Sequence, residues 1–356
     1  MQQSSWWEKV KFLINVYKEL KKASRPRTVI GFRILAISIS CLPFVSWGII
    51  MGFDQIPLLN EIEIAQNQMT LWSALLNSIA FIFGIGLILY DIHLEKNQSR
   101  KVARLIINGL PNMQLNFPDN ILNTAEKFLA REPVMLSAKS ENLDAQVDMY
   151  NAESKVNLIS RFVTHEGCQK LYVGGLARIP FLIGYGAMLR NISGLSYFDK
   201  LHGNGGWRLL DDEDFKIELV YRDEALSPNQ KGEIGIALGM STEVLFEQLP
   251  DALKNHTIFI DTTGGVERNK VLNQENLHRL SKTLAEKIDS LSSKSDVKSI
   301  HLFLSIQSTL AIEIGRRYQE GTHKDWVIYN YDAKQHCYPW SLRLSGSSLT
   351  VESSAD

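Results

Sequence analysis

The pattern of apolar and polar residues divides the chain into two parts. Two long apolar runs lie near the N-terminus, Val29 to Phe53 and Leu71 to Tyr90, and the sequence after them mixes apolar and polar positions as globular proteins do. Each run is long enough for a helix rising about 1.5 Å per residue to cross a hydrocarbon core about 30 Å thick. The pattern therefore predicts a two-helix transmembrane module over 29–91.

The charges that flank the apolar runs predict their orientation. Asp54–Thr70, between the runs, contains no Lys or Arg. Basic residues precede the first run and follow the second: Lys9, Lys11, Lys18, Lys21, Lys22, Arg25, Arg27, Lys96, Arg100, Lys101 and Arg104. Because Lys-rich and Arg-rich flanks stay in the cytoplasm, both termini of this multi-pass protein are expected there. A cleaved signal peptide is the alternative for the first run, but that run starts far from Met1 and a second one follows.

Residues 1–28 are predicted to form a basic amphipathic helix. Trp6, Trp7, Leu13 and Tyr17 recur at helical spacing, with lysines between them. Tryptophan next to lysine is typical of the lipid headgroup region, so the helix is predicted to lie on the inner leaflet. The alternative is a helix packed on the globular part of the chain.

The second apolar run carries a stripe of small and polar residues. Ser73, Asn77, Ala80 and Gly84 follow one another at helical spacing and therefore share one helix face. Such a stripe is typical of a helix-packing seam. Because an Asn at membrane depth needs a partner or water, the same residues are candidates for lining a pore in an oligomer.

Strand and helix patterns alternate after the apolar runs. The second apolar helix is predicted to continue to about Asn108, which makes 92–130 a helical linker. The predicted strands are Pro133–Ser137, Lys170–Arg178, Gly194–Asp199, Trp207–Leu210, Glu233–Met240, His256–Asp261, Ile300–Ser305, Val327–Tyr331 and Ser341–Leu344. The predicted helices are Gln146–His165, Pro180–Arg190, Glu243–Leu253, Asn273–Leu291 and Leu310–Arg317. This order predicts an α/β domain over 131–356 with a mostly parallel sheet covered on both faces.

An internal repeat divides this domain into two Rossmann-like units, about 131–225 and 226–356. With a fixed offset, Pro180, Phe181, Ile183 and Gly186 correspond to Thr309, Leu310, Ile312 and Gly315. After a small insertion, Phe198, Asp199, Trp207 and Leu209 correspond to Tyr331, Asp332, Trp340 and Leu342. A chance match of two ordinary βα units is the alternative to a duplication.

A duplicated α/β domain predicts a ligand crevice where the carboxyl ends of the strands of both units meet. The loops at these ends supply hydroxyls, amides, glycines and cations: Ser137, Lys139, Gly174, Gly175, Arg178, Ser241, Thr242, Thr262, Thr263, Gln307 and Ser308. This set suits an anionic ligand rich in hydrogen-bonding groups. Thr262 to Gly265 form a weak phosphate-loop pattern. Helix capping and turn formation are the alternative role of each residue taken singly.

Composition argues against several classes of protein. The net charge of −1 does not favour a protein that coats duplex nucleic acid. Cys41, Cys168 and Cys337 form no CxxC pair, and the histidines show no HxH or HExxH spacing, so no metal is indicated. GxSxG is absent, and the acidic run Asp211–Asp214 is interpreted as a solvated loop. We therefore expect a binding protein that is not an enzyme and carries no cofactor.

Several motifs resemble a known family. The stretch IHLFLSIQSTLAIEIGRRY from Ile300, with VIYNYD and YPWSL after it, resembles the C-terminal half of the SAVED domain of cyclic-oligonucleotide-based antiphage systems (CBASS). LYVGGLARIPFLIGYGAML from Leu171, with YFDK and GGWRLL, resembles the other half. The resemblance covers most of Pro133–Leu344.

The resemblance implies a fold and a function. SAVED domains are similar to two fused CARF-like units and bind cyclic oligonucleotides made by a CD-NTase-type nucleotidyltransferase. It implies a ligand of the cyclic tri- or tetranucleotide type more than a dinucleotide, and a ligand-induced homo-oligomer. Fused to two transmembrane helices, the domain would be the sensor of an effector that disrupts the bacterial inner membrane and causes growth arrest or death.

Two other functions are compatible with the sequence. One is a membrane-anchored enzyme that acts on a nucleotide or nucleotide sugar in the same crevice. The other is a membrane-tethered scaffold whose crevice binds nothing.

Overall fold

The computed structural model separates the chain into two compact units, Met1–Ser99 and Arg100–Asp356. It describes residues 26–40, 71–98, 102–156, 168, 170–203, 206–213, 215–222 and 226–352. Most of the predicted interfacial helix at 1–28, and the whole predicted loop 54–70, lie outside the described residues.

The described part of the N-terminal unit is a pair of helices, α1 (Pro26–Ser40) and α2 (Leu71–Gln98). They approach each other closely at two glycines, where a Cβ on Gly31 would lie 2.9 Å from the carbonyl oxygen of Gly84. In the part of the chain that the structure describes, no helix combines the length and the apolar character needed to cross a bilayer. The transmembrane module over 29–91 therefore stays a prediction.

The C-terminal unit is a mixed α/β domain with two sheets. The first sheet is formed by β1 (Val102–Asn108), β2 (Val134–Leu136), β3 (Lys170–Leu176), β4 (Leu195–Lys200) and β5 (Trp207–Leu209). The α-helices within this stretch are α3 (Thr124–Leu129), α4 (Leu143–Val156) and α5 (Ile179–Met188). β1, β3 and β4 are mostly buried, as expected for parallel strands covered on both faces, and β1 and β3 are largely apolar.

The second sheet has seven strands. They are β6 (Leu219–Tyr221), β7 (Glu233–Gly239), β8 (Thr257–Thr262), β9 (Ser299–Ser305), β10 (Asp325–Asp332), β11 (Cys337–Ser345) and β12 (Ser348–Glu352). The α-helices between them are α6 (Asp251–Lys254), α7 (Gln274–Ser292) and α8 (Ser308–Arg316). α7 buries Leu277, Leu280, Leu284 and Ile288, whose spacing of three and four residues places them on one helix face.

The two sheets share one strand order. The first runs β2-β1-β3-β4-β5, and the second runs β8-β7-β9-β10-β11 with β6 and β12 added at its edges. In both sheets the inner pairs are parallel and the last shared pair, β4–β5 or β10–β11, is antiparallel. Each half is therefore built to the same plan.

Two sequence predictions of local structure are wrong, and two edge strands were missed. The predicted linker over 92–130 is not helical throughout: α2 ends at Gln98, and residues 102–108 form the strand β1. The predicted helix Glu243–Leu253 is instead a 3-10 turn at Phe246–Gln248 followed by the short α6. Pro250 lies between the two and has no backbone N–H to continue a helix. The edge strands β6 and β12 were not predicted.

Helices α5 and α8 pack against each other through two reciprocal contacts, as expected when a pseudo-twofold axis relates the two halves. A Cβ on Gly186 would overlap the carbonyl oxygen of Ile312, and a Cβ on Gly315 would overlap that of Ile183. The offset of the repeat relates Gly186 to Gly315 and Ile183 to Ile312, so the two contacts are reciprocal. Two correspondences of the predicted repeat, Gly186 with Gly315 and Ile183 with Ile312, thus agree with the packing.

The later correspondences of the repeat are out of register. Tyr197 lies opposite Val173, and Ile328 lies opposite the residue related to Val173, Leu302. Phe198 is therefore related to Tyr329, two residues before the predicted Tyr331.

The two tryptophans that marked the repeat also fail to coincide. Trp207 pairs with Lys200, whereas Trp340 pairs with Asn330, which is displaced by one position. Since a one-residue slip turns a side chain to the other face of a sheet, the two rings point to different cores. Trp207 packs against the apolar cluster that contains Tyr172 and Phe198. Trp340 packs against the separate cluster that contains Phe181 and Leu310.

A buried carboxylate joins the two halves. Glu313 of α8 accepts hydrogen bonds from the Tyr197 hydroxyl of β4, from Arg316 Nη1 (2.8 Å) and from Arg317 Nη2 (3.1 Å). Burial acts to raise the pKa of Glu313, but the hydrogen bond from His278 and the Arg316 charge outweigh it and lower the pKa to about 2. Glu313 is therefore a carboxylate that bonds to both halves.

Candidate functional site

The candidate site consists of predicted residues at the carboxyl ends of β3 and β9, where α5 and α8 begin. Arg178 is the residue before α5, and Gln307 is the residue before α8. The offset of the repeat relates these two residues to each other. The pseudo-twofold axis therefore places a cation in one half where the other half has a neutral amide.

Arg178 is held between the two halves of the domain. Its Nη1 donates to Oε1 of Gln146 at 3.0 Å, and its guanidinium carbon lies 5.6 Å from the ring centroid of Trp340. Gln146 belongs to α4 in the first half, and Trp340 belongs to β11 in the second. The distance to the ring is within the range of a cation–π contact. The Arg178 guanidinium is therefore preorganised at the carboxyl edge of the sheets.

Gln307 is already bonded within the protein. Its Oε1 accepts from the backbone N–H of Val271 at 2.5 Å, and its Nε2 donates to the carbonyl oxygen of the same residue at 3.2 Å. This two-point contact ties the start of α8 to the segment before α7. Ser308, the next residue, is the first residue of α8 and is half-buried.

A buried carboxyl from the first half caps the first turn of α8. Asp199 accepts from the Thr309 hydroxyl at 2.9 Å and from the Lys200 backbone N–H at 2.9 Å. Burial raises the pKa of Asp199 to about 6, although the hydrogen bonds from Thr309 and Lys200 oppose the increase. Asp199 thus fixes the position of α8 against β4.

Ser241 and Thr242 follow β7 and are bonded to the end of β9. The backbone N–H of Ser241 donates to the carbonyl oxygen of Ser305 at 2.8 Å. The Thr242 and Ser305 hydroxyls lie 2.6 Å apart, and Thr242 is exposed. The hydroxyl pair thus places polar groups of the second half at this edge, with Thr242 exposed and Ser305 half-buried.

The loop after β8 holds a cation rather than presenting an anion cradle. Lys270 Nζ donates to the Thr262 hydroxyl at 2.8 Å, to the Thr263 carbonyl oxygen at 2.7 Å and to the Gly265 carbonyl oxygen. Phosphate loops direct backbone N–H groups at their ligand, whereas this loop directs oxygens at an ammonium group. This arrangement does not favour the weak phosphate-loop interpretation of Thr262 to Gly265, which stays a prediction.

The two glycines of β3 serve strand packing. Both are buried, and a Cβ on Gly174 would overlap the carbonyl oxygen of Phe198 in β4. Gly175 has a φ of 153°, and a Cβ there would meet the backbone of Ile107 in β1. The close approach that these glycines permit is to neighbouring strands, not to a ligand.

Ser137 and Lys139 follow β2 and are half-buried. The backbone N–H of Ser137 donates to Glu153 Oε1 at 2.7 Å, and Lys139 Nζ donates to the carbonyl oxygen of Met113 at 3.2 Å. Both residues help to hold the loop after β2. Of the two predicted cations, Lys139 bonds within the first half, whereas Arg178 contacts the second half.

The pore-candidate stripe of α2 faces α1 where its side chains are described. Asn77 Nδ2 donates to the carbonyl oxygen of Ser38 at 3.0 Å, and Gly84 is buried against Gly31. Ala80 is half-buried. Ser73 belongs to α2, but its side chain lies outside the described part of the structure. For Asn77 and Gly84, helix packing within the chain accounts for the stripe, as a packing seam predicts.

Three residues of this edge were missed as site candidates. Gln146 and Asp199 contribute buried polar groups to the crevice, and Trp340 contributes the ring beneath Arg178. Trp340 and Asp199 are among the residues that define the predicted repeat. Nothing in the sequence around Gln146 distinguishes it from the other polar residues of its helix.

A cavity of about 700 Å³ lies at the opposite end of α5 and α8. Its lining is mostly polar and comprises Arg190, Asn191, Arg316, Arg317, Tyr318, Gln319 and Glu320. Across the residues that the structure describes, no group of His, Cys, Asp and Glu has an arrangement suited to a metal ion.

The family of the chain follows from its sequence profile. Residues 157–344 match the SAVED domain, the "SMODS-associated and fused to various effectors sensor domain". This match covers more than half of the chain, and the chain belongs to the SAVED family. No curated protein sequence matches it.

Among solved structures, the chain is similar to SAVED/CARF-domain-containing Cap4 receptors. The Acinetobacter baumannii receptor with the cyclic trinucleotide 3′3′3′-cAAA has 13% identity and a TM-score of 0.45, and the match covers 78% of this chain and 59% of that one. The same receptor with 2′3′3′-cAAA has 12% identity and a TM-score of 0.42, and the match covers 78% of this chain and 58% of that one. The Moraxella osloensis receptor has 14% identity and a TM-score of 0.40, and the match covers 80% of this chain and 60% of that one. The chain thus spans less than two thirds of the length of these receptors.

Proposed function

We propose that this protein is a receptor for a cyclic oligonucleotide in a bacterial antiphage response. The ligand would occupy the crevice between the two halves, at the carboxyl ends of β3 and β9. Membership of a family of sensor domains supports the proposal. The observation that carries it is the Arg178 guanidinium, which contacts Trp340 of the other half of the domain.

The chemistry of this pair suits a nucleotide. A guanidinium has five N–H donors, and the one hydrogen bond from Arg178 to Gln146 leaves donors for a phosphate oxygen. The half-buried indole ring of Trp340 offers an aromatic surface next to that cation, and bases stack on such surfaces. The exposed Thr242–Ser305 hydroxyl pair offers further hydrogen bonds from the second half.

The asymmetry of the crevice bears on ring size. Arg178 and Gln307 occupy related positions, yet one is a cation with free donors and the other is a bonded amide. A ligand with its own twofold axis would present the same group to both positions, although the two positions differ in charge and in free donors. We therefore favour a cyclic trinucleotide within the tri- and tetranucleotide class, made by a CD-NTase-type nucleotidyltransferase.

The N-terminal helices are proposed as the output of the receptor. Both helices carry exposed apolar side chains, and those of α2 include Ile82, Phe83 and Leu89. Such side chains favour an apolar surrounding such as the lipid of the bacterial inner membrane. Ligand-induced oligomerisation would concentrate these helices at the membrane and make it leak.

The first experiment measures binding by the full-length chain. Cyclic di-, tri- and tetranucleotides are titrated calorimetrically against the wild type, Arg178→Met and Arg190→Met. Loss of a charge-assisted hydrogen bond predicts about 10- to 100-fold weaker binding for Arg178→Met. Arg190 lines the cavity at the far end of α5, so Arg190→Met should bind normally.

The outcomes separate the candidate functions. Recovery of the intact ligand after binding supports a receptor, and steady consumption supports an enzyme. Binding lost in Arg190→Met and kept in Arg178→Met would move the site to the cavity. If no cyclic oligonucleotide binds the wild type, the proposal fails.

The second experiment tests the membrane. Full-length protein is reconstituted with dye-filled liposomes, and dye release is measured with and without the nucleotide that binds. Release only with the nucleotide supports the proposed output. Release that ignores the nucleotide, or never occurs, contradicts it.

A further inference from the structure

Gln146 ties together the carboxyl ends of three neighbouring strands. Its Nε2 donates to the carbonyl oxygen of Gly109, directly after β1, at 3.0 Å, and to that of Ala138, just after β2, at 2.9 Å. Its Oε1 accepts from Arg178, just after β3, at 3.0 Å. β1 is the central strand of these three. One amide thus uses both of its N–H donors and its oxygen at the edge where the crevice lies.

The environment of Gln146 makes this arrangement rigid. The side chain is completely buried, and a buried amide loses free energy for each hydrogen bond that is not made. The two carbonyl oxygens also fix which end of the amide is which, because both require a donor. The oxygen of the amide is therefore directed at Arg178, and water has no access to replace it.

The second contact of Arg178 completes its orientation. Trp340 lies on the other half of the domain, with its ring centroid 5.6 Å from the guanidinium carbon. Arg178 is thus fixed by an amide of the first half and by a ring of the second. Without the amide, the long arginine side chain would keep only the contact with the Trp340 ring out of these two contacts.

We infer that Gln146 is a positioning residue for ligand binding, which acts by holding Arg178 against Trp340. This inference rests on the proposed function, since it assigns Arg178 to the ligand. Gln146 itself is buried beneath the crevice and touches no ligand.

A double-mutant cycle tests the inference on the full-length chain. Gln146→Met keeps the length of the side chain and removes its hydrogen bonds, and the affinity for 3′3′3′-cAAA, or for the tightest-binding cyclic oligonucleotide of the panel, is measured. We expect Gln146→Met to weaken binding by about 10-fold or more, and the double variant with Arg178→Met to bind no more weakly than Arg178→Met alone. A purely structural role would instead give losses that add. Additive losses would overturn the inference.

A control on the same helix separates positioning from general destabilisation. Asn151 of α4 also makes a two-point contact: its Nδ2 donates to the Leu349 carbonyl oxygen at 2.7 Å, and its Oδ1 accepts from the Leu349 N–H at 2.9 Å. Asn151→Leu should lower the melting temperature as Gln146→Met does and leave affinity unchanged. If Asn151→Leu weakens binding equally, the effect of Gln146→Met is structural and the inference fails.

A measurement without ligand separates this inference from the proposed function. The protein is labelled with 5-fluorotryptophan, and the Trp340 resonance is assigned with Trp340→Phe. Gln146→Met should shift this resonance as Arg178→Met does, whereas Asn151→Leu should not. An unshifted Trp340 resonance in Gln146→Met overturns the positioning role whatever binds. A shifted resonance in a chain that binds no cyclic oligonucleotide keeps the positioning of Arg178 and removes the proposed function.

A conservative variant covers the case in which Gln146→Met does not fold. Gln146→Glu keeps an oxygen that accepts from Arg178. We expect its affinity and its Trp340 resonance to stay closer to wild type than those of Gln146→Met or Arg178→Met. A Gln146→Glu protein that is folded and binds as weakly as Arg178→Met, with the wild-type Trp340 resonance, would contradict the inference.

Discussion

One methyl group at the contact between α5 and α8 should destabilise the C-terminal unit. In Gly315→Ala the new Cβ would lie 2.9 Å from Ile183 Cα and would overlap the carbonyl oxygen of that residue. Carbon atoms pack at about 3.5 to 4 Å, so the helices would have to separate by roughly 1 Å. Overpacking costs up to about 3 kcal/mol, and the better helix propensity of alanine returns about 1 kcal/mol. We expect a net loss of about 2 kcal/mol.

The reciprocal geometry makes a sharper prediction for the double variant. A Cβ on Gly186 would lie 2.9 Å from Gly315 Cα and would overlap the carbonyl oxygen of Ile312. One separation of the helices relieves both overlaps, so Gly186→Ala with Gly315→Ala should cost little more than either variant alone.

Urea unfolding followed by circular dichroism measures these free energies. Gly206→Ala is the control, because a Cβ on Gly206 would meet nothing within 4 Å. This variant should be as stable as the wild type or slightly more stable. The reasoning is refuted if Gly315→Ala is as stable as Gly206→Ala. It is also refuted if the two losses in the double variant simply add.

Three further predictions concern charge and the N-terminal helices. Because the pKa of Glu313 is lowered to about 2 from its usual 4.5, the stability that this carboxylate provides should be lost as the pH falls from about 4.5 to 2. Glu313→Gln should lower the free energy of unfolding by about 3 kcal/mol at pH 7, and urea melts should show a weaker acid dependence for this variant. Burial raises the pKa of Asp199 from 3.8 to about 6, so its contribution is greatest below pH 3.8 and is lost as the pH rises through 6; Asp199→Asn, which keeps an acceptor for Thr309, should flatten the unfolding free energy between pH 4 and 6. Asn77→Leu removes a hydrogen bond to Ser38 worth about 1 kcal/mol, so nucleotide-triggered dye release should fall while nucleotide affinity stays; unchanged release would show that this bond is not needed.

Parallel strands and long amphipathic helices were predictable from the sequence because burial dictates their residue types. β3, β7 and β9 read as apolar runs, and α7 shows a clear helical period. β1 was missed because its residues follow a long apolar helix with no Gly or Pro between them to mark the change. The short edge strands β6 and β12 bury few of their residues and carry little of this signal.

The candidate site was predictable in location more than in detail. Arg178 and Gln307 follow from the rule that ligand-facing loops end parallel strands. The side chains that hold this edge together could not be predicted, since Gln146 bonds to Arg178 across 32 positions and Asp199 bonds to Thr309 across 110. The repeat failed beyond Gly315 because an insertion hides the strand register, and only hydrogen bonding between strands fixes it.

The shared strand order of the two sheets has an evolutionary consequence. In a dimer of identical subunits, every substitution appears twice, and an improvement on one side of the axis is imposed on the other. Joining both copies in one polypeptide ends that constraint and also keeps the pair together at any dilution. At the related positions Arg178 and Gln307, the single chain has a cation with free donors on one side and a bonded amide on the other, an asymmetry that a dimer of identical subunits could not have.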